Sequence, residues 1–301
     1  MALIVQQNLP SAAEAAQEAI EFRYKENGFP MPKKPGILRI LILNLMPTKQ
    51  VTESQLMRVL FRPDFDIDLT FLRTDSYVSR NTDSEYLHRF YRTFSEVEQE
   101  DYDGLIVTGA PVEKLEFSQV AYWDELCRIF EWAKSHVISL YTICWGAQAA
   151  LHYFYGVEKR PLEKKLFGVF EHTLTSAARN HLLTKGLEQT FFAPHSRHTS
   201  VTLSPEQEKA GIRVLAVSEK AGLHIAAADD LSLVCVTGHF EYDRETLSLE
   251  YFRDISKGEE IDFPENYFRN NNPSMLPEPY WQDFGRRFVK NWTDFLISRH
   301  Q

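Results

Sequence analysis

The chain has 301 residues, 44% hydrophobic and 25% charged, the composition of a globular protein with a substantial core and not of a disordered one. A formal net charge of −9 argues against non-specific nucleic-acid binding, which selects basic surfaces, but leaves room for local cations that hold an anionic cofactor. No run approaches the ~18 apolar residues that span a bilayer, and Met1 to Pro10 lacks the basic-then-apolar pattern of a secretory signal, so a cytoplasmic protein with no membrane partner is expected.

Residues 1–35 read as an amphipathic or irregular lead-in, ended by Pro32 and Pro35, and residues 36–301 as a single α/β domain. Ile37 to Asn44 is an apolar, β-rich run suited to a buried parallel strand. Thr52 to Leu60 has helical spacing and stops at Pro63; Phe65 to Leu72 alternates as a strand does. Tyr86 to Glu98 reads as one helix, Tyr102 to Gly109 as a strand ending in a Gly turn, and Tyr122 to Ser135 as a helix. Val137 to Ile143 is a further strand running straight into Cys144. Beyond Phe167 shorter strands are expected at 190–193, 201–203, 212–218, 223–227 and 231–237, then helices at 244–257 and 281–298. Alternation of strand and helix in the first half predicts a mainly parallel sheet with helices on both faces. The segments after Leu43, Val107 and Ile143 then meet at the carboxyl edge, where such sheets bind ligands.

Cys127, Cys144 and Cys235 include no C-x-x-C pair, so they read as reduced thiols and not as a disulfide or zinc framework. Cys127 lies in an apolar helical pattern and Cys235 in mid-strand, which suits core packing. Cys144 stands at a tight strand-to-helix turn, Ile143-Cys144-Trp145-Gly146-Ala147. A helix N-terminus behind a thiol favours the thiolate and can hold an oxyanion, with the Trp145 N–H as one donor and the Asn44-Leu45-Met46 loop as source of a second. A small buried cysteine is the plainer alternative. A nucleophile also needs a base, and the base an orienting group; Gly238-His239-Phe240-Glu241, after a strand end, offers both. No His, Cys or Asp cluster has metal-ligand spacing, so no metal is expected.

These segments resemble the homoserine O-acyltransferases of methionine biosynthesis, which share the flavodoxin-like, doubly wound fold of class I glutamine amidotransferases. The resemblance rests on Leu43 to Gln50, Asp103 to Glu113, Ile143 to Ala149, Phe167 to His172, His195 to Thr199, Gly238 to Asp243 and Glu250 to Asp254. It implies a Cys144 acyl-thioester intermediate, His239 and Glu241 completing the triad, and Lys165, Ser196 and Arg253 binding substrate. It also implies acetyl-CoA as co-substrate with no bound cofactor, L-homoserine as acceptor, and a homodimer. Glu113 matches the position tied to acyl choice; its carboxylate would narrow the pocket and repel a succinyl carboxylate, which favours acetyl.

The chain departs from the family pattern in residues 1–35, at Trp281-Gln282-Asp283-Phe284, and at Phe240, where Pro or Ser is expected. Phe240 and Ser196 are thus candidates for acceptor choice, and L-serine stays open as acceptor because one methylene is worth only ~1–3 kcal/mol in a pocket. Homoserine O-succinyltransferase is a further alternative. A glutamine amidotransferase would use the same Cys, His and Glu but has no evident use for Lys165, Ser196 and Arg253. A redox-sensing thiol would need no base at His239.

Overall fold

The computed structural model describes residues 1–77 and 82–300. Its strands are β1 (Leu3–Gln6), β2 (Phe22–Lys25), β3 (Ile37–Leu43), β4 (Asp66–Arg73), β5 (Tyr91–Thr93), β6 (Tyr102–Val107), β7 (Val137–Ile143), β8 (Lys159–Leu174), β9 (Thr190–Val201), β10 (Ile212–Ser218), β11 (Gly222–Ala228) and β12 (Leu233–Val236). Its α-helices are α1 (Pro10–Ala15), α2 (Lys49–Leu60), α3 (Ser84–Phe90), α4 (Phe94–Val97), α5 (Trp123–His136), α6 (Trp145–Tyr155), α7 (Pro205–Lys209), α8 (Thr246–Ser256) and α9 (Trp281–Arg299).

All twelve strands join one sheet in the order β2-β1-β4-β3-β6-β7-β12-β11-β10-β8-β9, with β5 pairing β4. From β2 to β12 neighbours run parallel; from β12 to β9 they run antiparallel. The chain leaves β3 toward β4 on one side and returns through β6 and β7 on the other, which opens a crevice at the carboxyl ends of β3 and β6. One core, with Leu56, Phe288 and Trp292, lies between the sheet and α2 and α9; the other, with Leu126, Phe130 and Ala150, lies under α5 and α6. The doubly wound, mainly parallel α/β architecture expected from the alternation is the one observed.

Several elements differ from the sequence reading, each for a physical reason. The first 35 residues hold β1 and β2, which extend the sheet beyond β4. Their apolar runs are too short to show a period. The alternating polar residues of β4 do not face solvent: Asp66 accepts from the Ala2 N–H at 2.8 Å and pairs with Arg23 at 2.7 Å, and Asp68 pairs with Lys25 at 2.5 Å. Residues 86–98 are not one helix. Tyr91 is buried, its hydroxyl donating to Glu53 at 2.5 Å and accepting from Asn44 at 2.9 Å, and these bonds hold β5 in the sheet until a Thr93–Glu96 capping box starts α4. The strands expected at 190–193 and 201–203 are one strand, β9, which tolerates Pro194 because it lies at the sheet edge.

No helix among the described residues is long and apolar enough to cross a membrane. Close packing at the sheet's carboxyl edge depends on Gly146, where a methyl group would come within 2.6 Å of the Thr108 carbonyl oxygen and 2.8 Å of that of Val107. Both obstacles are backbone. Gly146→Ala is expected to cost about 1–3 kcal/mol or more of stability, read as a shift in the denaturant midpoint at unchanged slope.

Candidate active site

Cys144 occupies the last position before α6 with φ 51° and ψ −114°, a conformation that costs a non-glycine residue roughly 1–3 kcal/mol. Its surroundings hold it there. The Cys144 N–H donates to the Val236 carbonyl at 2.7 Å, and its own carbonyl accepts from the N–H groups of Ala147 at 3.1 Å and Gln148 at 3.2 Å. The Trp145 N–H, at the start of α6, has no acceptor among the described residues. The 44–46 loop, by contrast, has no donor to spare. Asn44 N–H bonds Leu72, Leu45 N–H bonds the Thr108 hydroxyl at 2.8 Å, and Met46 N–H bonds the Asn44 side chain at 3.1 Å. The expectation of a second oxyanion donor in that loop is therefore corrected: the backbone beside Cys144 is Gly109, where a Cβ would lie 3.3 Å from the Cys144 Cβ. Lys49 pins the 44–46 loop, donating to the carbonyls of Asn44 at 2.6 Å and Met46 at 3.1 Å; burial drops it to about 8 against the attraction of Glu53.

His239 follows β12, the parallel neighbour of β7, and so comes to the same edge as Cys144. Its Nδ1 lies 2.6 Å from Glu241 Oε1, and its ring stacks on Tyr242 at 4.0 Å between centroids. Burial opposes a charge on His239, but its interactions with Glu241 and Cys144 together outweigh it and lift His239 to about 10. The arrangement holds an imidazolium against a thiol, and Tyr242 fixes its plane.

Cys144 and His239 open into a cavity of about 520 Å³ that Lys165, Ser196, Glu250, Arg253 and Asp254 also line. Lys165 Nζ lies 2.6 Å from Glu250 and 3.3 Å from Asp254; Ser196 donates to Glu250 at 2.7 Å; Arg253 contacts Asp254 at 2.6 Å. The structure thus brings Lys165, Ser196 and Arg253 to the cavity of Cys144, around acids that the sequence reading did not single out. Glu250, Arg253 and Asp254 share one face of α8, so an i, i+3, i+4 search opposite Lys165 was the available signal.

Glu113 also lines the cavity, its Oε1 accepting from the His198 N–H at 3.1 Å, and desolvation raises its carboxyl above the usual range. Phe240 does not line it. The ring is 2% exposed and packs against Phe284, Phe288 and His224 at 5.0–5.7 Å, and its Cβ sits where a side chain at Gly285 of α9 would go. The expectation that Phe240 shapes the acceptor pocket is corrected: the turn that presents His239 sends Phe240 into the core.

A glutamine amidotransferase from Thermotoga maritima matches this fold with a TM-score of 0.54, over 86% of this chain and 98% of its own, at 12% identity. One from Methylobacillus flagellatus gives 0.52 over 87% and 95%, at 11% identity. The fold is that of the class I glutamine amidotransferases. The family model for homoserine O-succinyltransferase matches residues 2–301, and the chain belongs to that family of O-acyltransferases. Proteins named homoserine O-acetyltransferase are similar over nearly the full length: that of Clostridium acetobutylicum is 43% identical over 297 residues, and that of Bacillus mycoides 44% over 303, each alignment covering 99% of this chain and 97% of the relative.

The sequence shows no metal-ligand spacing, yet β8, β9 and β11 bring His172, His195 and His224 together, fully buried, with ring nitrogens within 4.8 Å of one another. Hydrogen bonds assign two of these rings. Arg197 Nε donates to His195 Nδ1 at 3.3 Å, so His195 Nε2 carries the proton it shares with His172 Nε2 at 3.1 Å. A cation would have to displace that bond beside the Arg197 guanidinium, so the chemistry suits a neutral histidine stack better than an ion. The stack floors the Gly238 turn that leads into His239.

Desolvation lowers His172 to about 4 and the other two well below their ordinary value. Each therefore stabilises the fold fully above the unfolded value near 6.5 and loses that contribution as pH falls toward its folded value, by about 1.4 kcal/mol per pH unit. Both ring nitrogens of His224 lack a partner among the described residues. His224→Phe is expected to remove one proton's worth of slope, about 1.4 kcal/mol per pH unit, from unfolding free energy measured between pH 6.5 and 5. An unchanged slope would mean that His224 is not buried neutral.

Proposed function

We propose that the chain transfers the acetyl group of acetyl-CoA to the hydroxyl of L-homoserine through an acyl-thioester on Cys144. The observation that carries this reading is one cavity lined by Cys144, by His239 with Glu241 bonded behind it, by the two-sign cluster of Lys165, Glu250, Arg253 and Asp254, and by the Glu113 carboxyl. The two-sign cluster suits a zwitterionic amino acid. Arg253 and Lys165 complement its α-carboxylate, and Glu250 and Asp254 its ammonium group.

In the proposed reaction Cys144 acts as the thiolate, with its proton held on His239 as the imidazolium. The sulfur attacks the thioester carbonyl carbon, and the oxyanion is received by the Trp145 N–H with the backbone at Gly109 opposite. The carbon–sulfur bond to CoA then breaks, and the departing thiolate takes the proton from His239. Acylated Cys144 no longer carries the charge that helped hold that proton, so His239 now acts as a base. Oriented by Glu241, it removes the homoserine hydroxyl proton as the oxygen attacks the acyl carbon. Cys144 leaves as thiolate and the imidazolium is restored. Atoms and charge balance over the two half-reactions.

Acetyl is preferred to succinyl because the second carboxylate of a succinyl group would lie against Glu113. Serine loses its main support with Phe240 in the core. Glutaminase chemistry gives no role to the Lys165–Glu250–Arg253 cluster.

Free-thiol release measured with acetyl-CoA or succinyl-CoA against L-homoserine or L-serine tests the reading. Acetyl-CoA with homoserine is the expected productive pair, and Cys144→Ala the silent one. No release from any pair sinks the acyltransferase reading. Glu113→Gly is expected to raise the succinyl-to-acetyl ratio of kcat/KM by about tenfold or more, equivalent to ~1.4 kcal/mol. Glu250→Gln is expected to raise KM for homoserine about tenfold with little change in the acetyl-CoA half-reaction, measured as single-turnover thiol release.

A further inference from the structure

We propose that the donor's long arm reaches Cys144 through a separate groove, between the 44–49 loop and the 111–122 segment, and that Arg73 anchors the phosphates at its outer end. This rests on the acyltransferase reading and adds to it the path of the donor.

The groove encloses about 370 Å³ and shares Met46, Pro47, Pro111, Val112 and Leu115 with the Cys144 cavity, so the two adjoin along one wall. Their chemistry differs. The acceptor end of the Cys144 cavity carries both signs of charge, whereas the groove is walled mainly by apolar side chains such as Leu87, Val112 and Leu115. A pantetheine arm is a neutral chain of methylenes and amides and gains nothing from the Lys165–Glu250 cluster. An apolar-walled slot suits it.

Arg73 closes β4 and lines the groove. Among the described residues its buried Nε has no partner, its one hydrogen bond is a 3.4 Å contact from Nη1 to the Thr74 carbonyl, and no carboxylate pairs with it. Arg58 and Arg62, by contrast, each pair with acids on two or more sides. In a chain of net charge −9 a half-buried guanidinium left without an acid is an open anion site. Beside it Tyr77, 41% exposed, meets Tyr122 edge-on at 5.7 Å, and both line the groove, giving the nucleoside base an aromatic face. An acyl-CoA runs from nucleoside base through phosphates and pantetheine arm to thioester, and the groove with its adjoining cavity offers each part a match: an aromatic face, a cation, an apolar slot and a thiol.

Steady-state kinetics with two donors test this. Acetyl-CoA carries the phosphates; S-acetylpantetheine lacks them. Wild type is expected to favour acetyl-CoA in kcat/KM by about tenfold or more, Arg73→Gln to erase most of that preference, Arg73→Lys to retain part of it, and KM for homoserine to stay within about twofold throughout. Leu115→Trp, which narrows the slot, is expected to raise KM for both donors alike. A wild-type enzyme active with acetyl-CoA whose donor preference survives Arg73→Gln overturns the groove assignment and leaves the acyltransferase reading standing. An inactive wild type removes both.

Discussion

The strained turn at Cys144 is the constraint around which the rest of the molecule is arranged. A residue at φ 51° and ψ −114° is held there only if its neighbours allow no easier conformation. Three of them supply that restraint. Val236 of β12 takes its N–H, the first turn of α6 closes on its carbonyl, and Gly146 lets α6 sit directly on the ends of β6. The parallel centre of the sheet therefore provides more than a scaffold, because β6, β7 and β12 each fix one side of the same turn.

Charge is then divided among neighbours with some care. Around His239 the surroundings favour the imidazolium, Glu241 and Cys144 together outweighing burial. A few residues away, beneath Gly238, burial keeps His172, His195 and His224 neutral. Four imidazoles in one region thus hold opposite protonation states, set by whether a carboxylate is in reach. In the wall of the Cys144 cavity Lys165 and Arg253 are balanced by Glu250 and Asp254, so the cluster carries no net charge.

Much of this was legible in the sequence wherever the evidence is local. The apolar runs that became β3, β6 and β7, and the strand-into-helix turn at Cys144, announce themselves by period and by small residues after the thiol. What escaped depends on long-range contacts. The charges of β4 look solvent-facing until Arg23 and Lys25 are folded over them. Tyr91 belongs to a helical pattern until Glu53 and Asn44 claim its hydroxyl. Phe240 lies between two site residues in sequence and on the other side of the turn in space. Glu250 earned no notice because its partner Lys165 is on a distant strand. The three buried histidines come from three strands and share no motif.

The packing of Phe240 against Gly285, Phe284 and Phe288 ties the turn that carries His239 to α9. That helix is itself riveted to the sheet, through Trp292 to Ser139 and, just beyond its end, His300 to Asp103. Cys144 and His239 thus rest on a support assembled from residues 281–300. During synthesis the thiol, the imidazole and the sheet that presents them emerge before their foundation does. The contacts that seat the turn at residues 238–242 on α9 can therefore form only after residues 281–300 have been made and have docked.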